Sequence, residues 1–211
     1  GICIVKESNA DSLELILGIK DLNKTDSFKI ENISNNKISI TGNDQRGLLY
    51  GVGKFLRECS FGDNEFDLCK WNVFSAPAKP VRGMYFATHF HNYYNDAPVQ
   101  AIQEYVEDLA LWGCNAVNVW YDMHHYNGID DPAAQEMIKK LKVILHAAKK
   151  IGLQPCIGTL ANEAYSTTPE HLKSTPPQSA HYGVEICPSI PEGMELILKL
   201  RREMLEAFKE V

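Results

Sequence analysis

Hydrophobic residues alternate with polar ones in the first part of the chain and recur at helical spacing farther on. The strand-like runs, which are alternating or rich in β-branched residues, are residues 2–5, 13–19, 27–30 and 37–41. Asn35 and Asn36 separate the last two runs and form a hairpin signal. We therefore predict an antiparallel sheet of short strands.

A helix is predicted directly after these strands. Asp44 is suited to cap its first turn, and apolar residues then recur at helical spacing as far as Cys59. Gly47, Gly51 and Gly53 lie inside this helix, where each costs about 1 kcal/mol relative to alanine. Their spacing fits no phosphate-binding loop. We predict that they allow the helix to pack closely on the sheet.

The pattern changes after residues 75–80, whose two prolines break both periodicities and mark the best domain boundary. Strand-like and helix-like segments alternate from there on. Strands are predicted at residues 83–88, 116–121 and 153–158, and helices at residues 98–112, 131–151 and from Pro191 onwards. The last helix has Met194, Ile197, Leu198, Leu205 and Phe208 as its predicted apolar face. Such alternation predicts parallel strands joined by right-handed crossovers.

The predicted fold class is α/β, in two domains. Residues 1–78 form a small α+β auxiliary domain, with a mostly antiparallel sheet and a helix. Residues 79–211 form the N-terminal part of a (β/α) barrel of the TIM type, with about three βα units. A complete barrel has eight units and about 250 residues, whereas roughly 130 residues follow Pro80. We therefore expect a truncated piece of a longer enzyme; a short open α/β sheet is the alternative.

The charge and the apolar content of the chain indicate which kinds of binding partner are expected. The net charge is −6, and no block of Lys and Arg is present, which disfavours nucleic acid and anionic membrane surfaces. No apolar run reaches a bilayer-spanning length, so no membrane partner is expected. The expected location is cytoplasmic, or periplasmic or secreted if a leader has been removed.

The six cysteines are widely spaced and contain no CxxC pair. Free thiols are the favoured interpretation, and zinc binding by cysteine is disfavoured. A disulfide between Cys59 and Cys69 stays open, because the sequence does not give the distance between them.

Two motifs resemble a known family. The first motif is Asp-Gln-Arg-Gly-Leu-Leu-Tyr-Gly at residues 44–51, which follows the Ser-Phe-Lys-Ile segment at residues 27–30. The second is Lys-Pro-Val-Arg-Gly at residues 79–83. This arrangement resembles the non-catalytic domain and barrel entry of β-N-acetylhexosaminidase-like glycoside hydrolases. The related α-glucuronidase-like enzymes share the two-part layout. The resemblance implies an auxiliary domain followed by a barrel that hydrolyses O-glycosidic bonds.

The chain departs from the family pattern at several positions. The family has an aspartate and a sugar-binding arginine where this chain has Ala87 and Phe90, and only His91 matches the histidine that follows. Residues 118–120 read Asn-Val-Trp where the family has a His-Trp-His type of sequence. The catalytic Asp-Glu pair of the family belongs to the fourth barrel strand. The resemblance therefore implies no catalytic residue in this chain.

Candidate binding residues follow the three predicted barrel strands, because the active site of such barrels lies at the carboxyl ends of the strands. They combine aromatic rings with carboxylate, amide and imidazole groups, which suits the apolar faces and hydroxyl edges of a sugar. The predicted substrate-binding residues are His89, His91, Trp120, Tyr121, Asp122, Asn162 and Glu163.

Each candidate also has a structural interpretation. One of His89 and His91 faces the mouth while the other packs outside, and Trp120 is equally suited to the barrel core. Asp122 is suited to cap a turn. Glu163 fits a helical turn with a solvated carboxylate, and residues 124–125 fit a surface loop.

The sequence predicts a fragment of a glycoside hydrolase that acts on oligo- or polysaccharides but is itself inactive, because it lacks the catalytic carboxylate pair. The alternative is a non-catalytic glycan-binding module. A metal-dependent barrel hydrolase is less favoured; it rests on histidines near Asp122 and Glu163 without a tight ligand motif. We expect a carbohydrate partner, no cofactor and no metal, and self-association through the exposed surface of a half-barrel.

Overall fold

The computed structural model describes residues 13–61, 66–67, 69–174 and 184–211. The strand predicted at residues 2–5 lies outside them. Contacts between residues divide the chain into two compact units. The N-terminal unit comprises Gly1–Arg82 with Asp108–Cys114, and the C-terminal unit comprises Gly83–Glu107 with Asn115–Val211. The domain boundary predicted between residues 78 and 79 stays a prediction.

The N-terminal unit contains a four-stranded sheet in the order β1-β3-β2-β6. Its strands are β1 (Glu14–Ile19), β2 (Phe28–Ser34), β3 (Lys37–Gly42) and β6 (Asn72–Ser75); the two-residue strands β4 (Ser60–Phe61) and β5 (Phe66–Asp67) pair separately. Strands β2 and β3 form the hairpin predicted at Asn35 and Asn36. The short strand β6 was not predicted, and it pairs with β2 in antiparallel orientation.

One pairing in this sheet differs from the antiparallel expectation. Strand β1 runs parallel to β3, with Glu14 opposite Lys37 and Ile19 opposite Gly42. The short connection at residues 20–27 stays at one end of the strands. Strand β2 therefore starts at the end where β1 finishes, with Ile19 and Phe28 both opposite Gly42, and runs in the opposite direction. The hairpin then reverses β3 once more, which makes it parallel to β1.

The sheet is covered by α1 (Gln45–Glu58), which begins at the predicted cap. The Asp44 side chain accepts a hydrogen bond of 2.8 Å from the backbone N–H of Gly47. Ile30, Ile38 and Ile40 of the sheet are completely buried and form one core with residues of the helix. The predicted packing of a capped helix on the sheet is confirmed.

The glycines of α1 allow close packing, as predicted. A Cβ atom added to Gly47 would lie 2.2 Å from the carbonyl oxygen of Ser27, and one added to Gly51 would lie 2.7 Å from Cγ2 of Ile40. Both distances are far inside van der Waals contact. The helix therefore lies closer to the sheet than side chains at these positions would permit.

The C-terminal unit contains a parallel sheet of three strands, ordered β7-β8-β9 as in the chain. Its elements are β7 (Gly83–Phe86), α2 (Tyr93–Asp96), α3 (Val99–Leu111, of which residues 108–111 belong to the N-terminal unit), β8 (Ala116–Trp120), α4 (Pro132–Lys150), β9 (Gln154–Gly158) and α5 (Pro191–Ala207). Gly83, Ala116 and Gln154 lie side by side across the sheet. The predicted alternation of parallel strands and helices is confirmed.

The faces of β8 differ in burial. Val117 and Val119 are completely buried, whereas Asn118 and Trp120 alternate with them on the opposite face and are partly exposed. A Cβ atom on Gly158 of β9 would lie 2.7 Å from the Trp120 ring. Because Gly158 has no side chain, there is room for the Trp120 indole on this face of the sheet.

The predicted apolar face of α5 is wrong in part. Met194, Leu198 and Leu205 are 41%, 48% and 60% exposed. The buried residues of the helix and its end are Gly193, Ile197, Leu200, Met204 and Phe208. Apolar residues occur on two sides of this helix, and periodicity alone does not show which side packs. No helix among the described residues is both long and apolar enough to cross a membrane.

Four of the described cysteines are free thiols: Cys69, Cys114, Cys156 and Cys187. The Cys69 thiol donates a hydrogen bond to the carbonyl oxygen of Glu58. The favoured interpretation is thus confirmed for these four, and the disulfide between Cys59 and Cys69 is not formed. Cys3 lies outside the described residues.

Substituting Gly47 with alanine should destabilise the N-terminal unit. Alanine favours a helix by about 1 kcal/mol, but the added methyl group meets the backbone of Ser27, and overpacking of this kind costs about 1–3 kcal/mol or more. Urea unfolding should therefore show a lower midpoint for Gly47→Ala. Gly18→Ala is the matched control, because its Cβ meets nothing within 4 Å. Equal stability of Gly47→Ala and the parent chain would contradict the close approach.

Candidate functional site

A cleft lies at the carboxyl ends of β7 and β8 in the C-terminal unit. Its volume is about 330 Å³, and the residues that line it include His89, Phe90, His91, Trp120, Asp122 and His125. We call it the strand-end cleft. His89, His91, Trp120 and Asp122 were all predicted site residues, and the fold brings them to one opening.

Thr88 joins the ends of the two strands beside the cleft. Its buried hydroxyl donates a hydrogen bond of 2.6 Å to the carbonyl oxygen of Trp120 and accepts one of 2.8 Å from the Trp120 backbone N–H. The chain turns here, since the Thr88 N–H donates to the carbonyl oxygen of Phe86. This turn ends β7 two residues earlier than predicted, and it fixes Trp120 beside the β7 end.

Aromatic rings gather around Trp120. The His89 ring lies 5.6 Å from the indole and the Tyr85 ring lies 6.3 Å from it, both measured between centroids. The Tyr85 hydroxyl and Nδ1 of His89 are 2.7 Å apart. The indole N–H donates a hydrogen bond of 2.8 Å to Oδ1 of Asp122. The indole is therefore held by a carboxylate at one edge and by neighbouring rings on its sides.

The Asp122 carboxylate lies close to the imidazole rings of two histidines, His124 and His125. The chain leaves β8 through Asp122 into a 3₁₀ turn at Met123–His125, so that three polar side chains follow one strand end. Oδ1 of Asp122 lies 3.8 Å from Nδ1 of His124, and Oδ2 lies 3.5 Å from Nε2 of His125. Burial lowers the pKa of His125, and the neighbouring His124 lowers it further, while Asp122 acts in the opposite direction. Asp122 is itself only 6% exposed.

Glu163 lies on the other side of His124 and has no exposed surface. Its Oε1 is 2.6 Å from Nδ1 of His124 and accepts a second hydrogen bond from the His124 backbone N–H, while Oε2 accepts one from the Thr159 hydroxyl. Burial raises the pKa of Glu163, and the Asp122 carboxylate raises it further, whereas the hydrogen bonds from His124 lower it. The interpretation of Glu163 as a solvated carboxylate is therefore wrong.

Arg201 of α5 holds the loop that carries Glu163. Its guanidinium donates hydrogen bonds to the carbonyl oxygens of Leu160 and Glu163. Burial lowers the pKa of Arg201, and the nearby Glu163 carboxylate raises it. The arginine thus supplies donors to a backbone segment that lies outside any strand.

Tyr121 and Asn162, like Glu163, do not line the strand-end cleft, whereas His91 does. Tyr121 is completely buried, with its hydroxyl 3.3 Å from that of Tyr165, so its burial argues against contact with a ligand. The Asn162 side chain donates a hydrogen bond to the carbonyl oxygen of Ile186. His91 is exposed and its Nε2 lies 2.8 Å from Oδ2 of Asp96. Ligand contact by the predicted residues stays a prediction.

Sequence reasoning missed the roles of Thr88 and Arg201 in this arrangement, and it assigned His124 and His125 to a surface loop. His125 is exposed, as expected for a surface loop, but His124 is mostly buried against Glu163. A signal was present, since an aspartate and two consecutive histidines follow one strand end. Arg201 gave no local signal, because it lies far along the chain in a helix.

Replacing Thr88 with valine should destabilise the C-terminal unit. Valine has the same shape but leaves the part-buried N–H and carbonyl groups of Trp120 without their partner, which costs up to about 1–3 kcal/mol for each group. Thermal unfolding should show a clear loss for Thr88→Val and a much smaller one for Thr88→Ser, which keeps the hydroxyl. The same unfolding temperature for the serine and valine variants would show that the hydroxyl does not join the strands.

Comparison with known proteins concerns the fold. No protein-family model and no curated protein matches the sequence. Similar solved structures include the GH20 β-N-acetylhexosaminidase from Streptomyces coelicolor A3(2), with a TM-score of 0.66 and 13% identity over 92% of this chain and 45% of that chain. The GH20 exo-β-N-acetylglucosaminidase from Vibrio harveyi, in complex with N-acetylglucosamine, gives a TM-score of 0.66 and 15% identity over 93% of this chain and 36% of that chain.

A third similar structure is a GH138 enzyme that targets pectin rhamnogalacturonan II, with a TM-score of 0.54 and 13% identity over 92% of this chain and 25% of that chain. The chain spans less than half the length of each of these three structures. At such identities the likeness establishes the fold alone. The glycosidase-type fold expected from the motifs at residues 44–51 and 79–83 is confirmed at that level.

Proposed function

We propose that this chain carries the first part of a glycoside hydrolase barrel and that the strand-end cleft belongs to its carbohydrate-binding site. The observation that carries the proposal is the pairing of Trp120, held at its edge by Asp122, with polar groups at the ends of parallel strands. The likeness to glycoside hydrolase structures supports it.

The chemistry of the cleft suits a sugar. A pyranose ring has an apolar face that packs on an aromatic ring and hydroxyl groups that need hydrogen-bond partners. In the strand-end cleft, the Trp120 indole can pack on the apolar face of the sugar. The Asp122 carboxylate and the imidazoles of His89 and His125 can form hydrogen bonds with its hydroxyl groups. Its volume of about 330 Å³ is at the lower end of the range for small-molecule sites, about 300–1,000 Å³.

The barrel itself is part of the proposal. Three parallel strands that neighbour one another in chain order are what the start of a (β/α) barrel requires. In a barrel, the face of the sheet that carries Asn118 and Trp120 would point inward. We propose residues 1–78 as the auxiliary domain and residues 79–211 as the barrel part. Self-association would occur at this face, where Tyr85 is 45% exposed.

We further propose that this chain does not hydrolyse glycosides by itself. Glycosidases use two carboxyl groups that reach the scissile bond from opposite sides. Glu163 is completely buried under His124, and Asp122 is engaged by the Trp120 indole. Neither group is therefore placed as a free acid or base, and the catalytic pair is expected on other strands of a complete barrel.

Trp120→Ala should weaken sugar binding by about two- to twelvefold, because an aromatic platform contributes about 0.5–1.5 kcal/mol beyond its buried area. Saturation-transfer NMR with a panel of methyl glycosides, including N-acetylglucosaminides and uronides, measures the effect. Trp112→Ala is the control, since Trp112 is 69% exposed and belongs to the N-terminal unit. Failure of every glycoside to bind, or equal binding by Trp120→Ala, would argue against the proposed site.

Aryl glycosides should not be turned over by the chain at a measurable rate, because its buried carboxyl groups are not free to act on a substrate. Release of the chromophore, compared with a buffer blank, measures this. Turnover that disappears in Glu163→Gln would contradict the expectation and assign catalysis to Glu163. A glycan-binding module predicts the same inactivity, so a longer chain is needed to separate the two: paired carboxylates after the next strand favour the hydrolase.

A further inference from the structure

Three side chains at or beside the strand-end cleft are close enough together to share a metal ion. Asp122, His124 and His125 each offer a ligand atom, and these atoms all lie within 4.8 Å of one another. Oδ2 of Asp122 and Nε2 of His125 are 3.5 Å apart. Ligands of a tetrahedral zinc ion are about 3.3 Å apart, because each lies about 2.0–2.1 Å from the ion. Asp122 and His125 are thus already near this spacing, and the other pairs in the group would have to approach by at most about 1.5 Å.

We propose that Asp122, His124 and His125 form a binding site for a divalent transition metal of the zinc class. The donor set is two imidazoles and one carboxylate, which suits zinc and its neighbours among the first-row metals better than calcium or magnesium. Among the described residues, this is the group of His, Cys, Asp and Glu side chains whose atoms converge in this way.

The surrounding hydrogen bonds hold two of the ligands in place. The Asp122 carboxylate is oriented by the Trp120 indole N–H at 2.8 Å. Nδ1 of His124 is engaged by Oε1 of the buried Glu163 at 2.6 Å. A histidine that binds a metal through one ring nitrogen typically has its other nitrogen hydrogen-bonded to a carboxylate, which fixes the tautomer and the ring orientation. In the proposed site Glu163 would be a positioning residue, and Nε2 of His124 would be left as the ligand atom.

The third ligand faces the solvent. The side chain of His125 is 54% exposed and lines the strand-end cleft. Three protein ligands leave one position of a tetrahedral ion open, and sites of this kind admit water or a substrate oxygen there. The open position would point into the cleft beside Trp120. This inference goes beyond the proposed sugar site and does not depend on it, because metal binding is measured without any sugar.

Titration of the chelator-treated chain with Zn²⁺ in a calorimeter tests the site. We expect one equivalent to bind, and His125→Ala to weaken binding at least tenfold without loss of folding, because the His125 side chain is exposed. Asp122→Asn, which keeps the shape of the side chain but removes its charge, should also weaken binding; its fold is checked by circular dichroism. His171→Ala is the matched control, since its side chain is 69% exposed and lies elsewhere on the chain.

The free thiols are a competing zinc site that the experiment must separate. Replacing Zn²⁺ with Co²⁺ distinguishes them, since thiolate ligands give intense charge-transfer absorption that imidazole and carboxylate ligands do not. Tetrahedral Co²⁺ bands without thiolate absorption, lost in His125→Ala, support the proposal. No stoichiometric binding, thiolate absorption, or equal affinity of His125→Ala and the parent chain overturns it. Sugar binding measured in the presence of EDTA tests the proposed function separately.

Discussion

Parallel pairing of β7 and β9 with β8 is the constraint on which the candidate site depends. Parallel strands all end at one edge of a sheet, and the segments that leave them must meet there. Thr88, Asp122 and Glu163 follow three different strands and are distant in sequence, yet they come together at this edge. Without the common direction of the strands, the same residues would lie at opposite ends of the unit.

The buried polar groups at this edge follow from the cost of removing charge from water. A carboxylate in the interior is tolerated only when hydrogen bonds or opposite charge replace its hydration. Glu163 has two such partners in His124 and Thr159, and Arg201 supplies donors to the backbone beside it. The loop after β9 is therefore held by these polar contacts together with the antiparallel bridge between Glu163 and Glu185. Such an arrangement orders the side chains that the cleft presents.

The candidate functional groups lie in the C-terminal unit and not in the described part of the N-terminal unit. The N-terminal unit is a sheet covered by one helix, and its glycines and capped helix explain packing rather than chemistry. The C-terminal unit presents the aromatic and ionisable groups. Because one fold supports many activities, the fold alone does not identify a substrate. The proposal for carbohydrate therefore rests on Trp120 and its neighbours, and the metal proposal rests on a different observation at the same edge.

Local structure was determined by the sequence itself. The cap at Asp44, the hairpin at Asn35 and Asn36, and the helix that starts at Pro132 depend on side chains and turns a few residues apart, so short patterns predicted them. The ends of α3 and α4 belong to the same class, because Gly113 and Gly152 adopt positive φ angles that glycine permits.

Only the tertiary structure decided which side of each element is buried and which distant groups meet. The parallel pairing of β1, the face that α5 presents and the burial of Tyr121 all depend on neighbours far away in sequence. The same holds for Glu163, which a local pattern places on a solvated turn but which the fold places under His124. Periodicity records that an element has an apolar side, whereas burial requires a partner, and the partner is supplied by the fold.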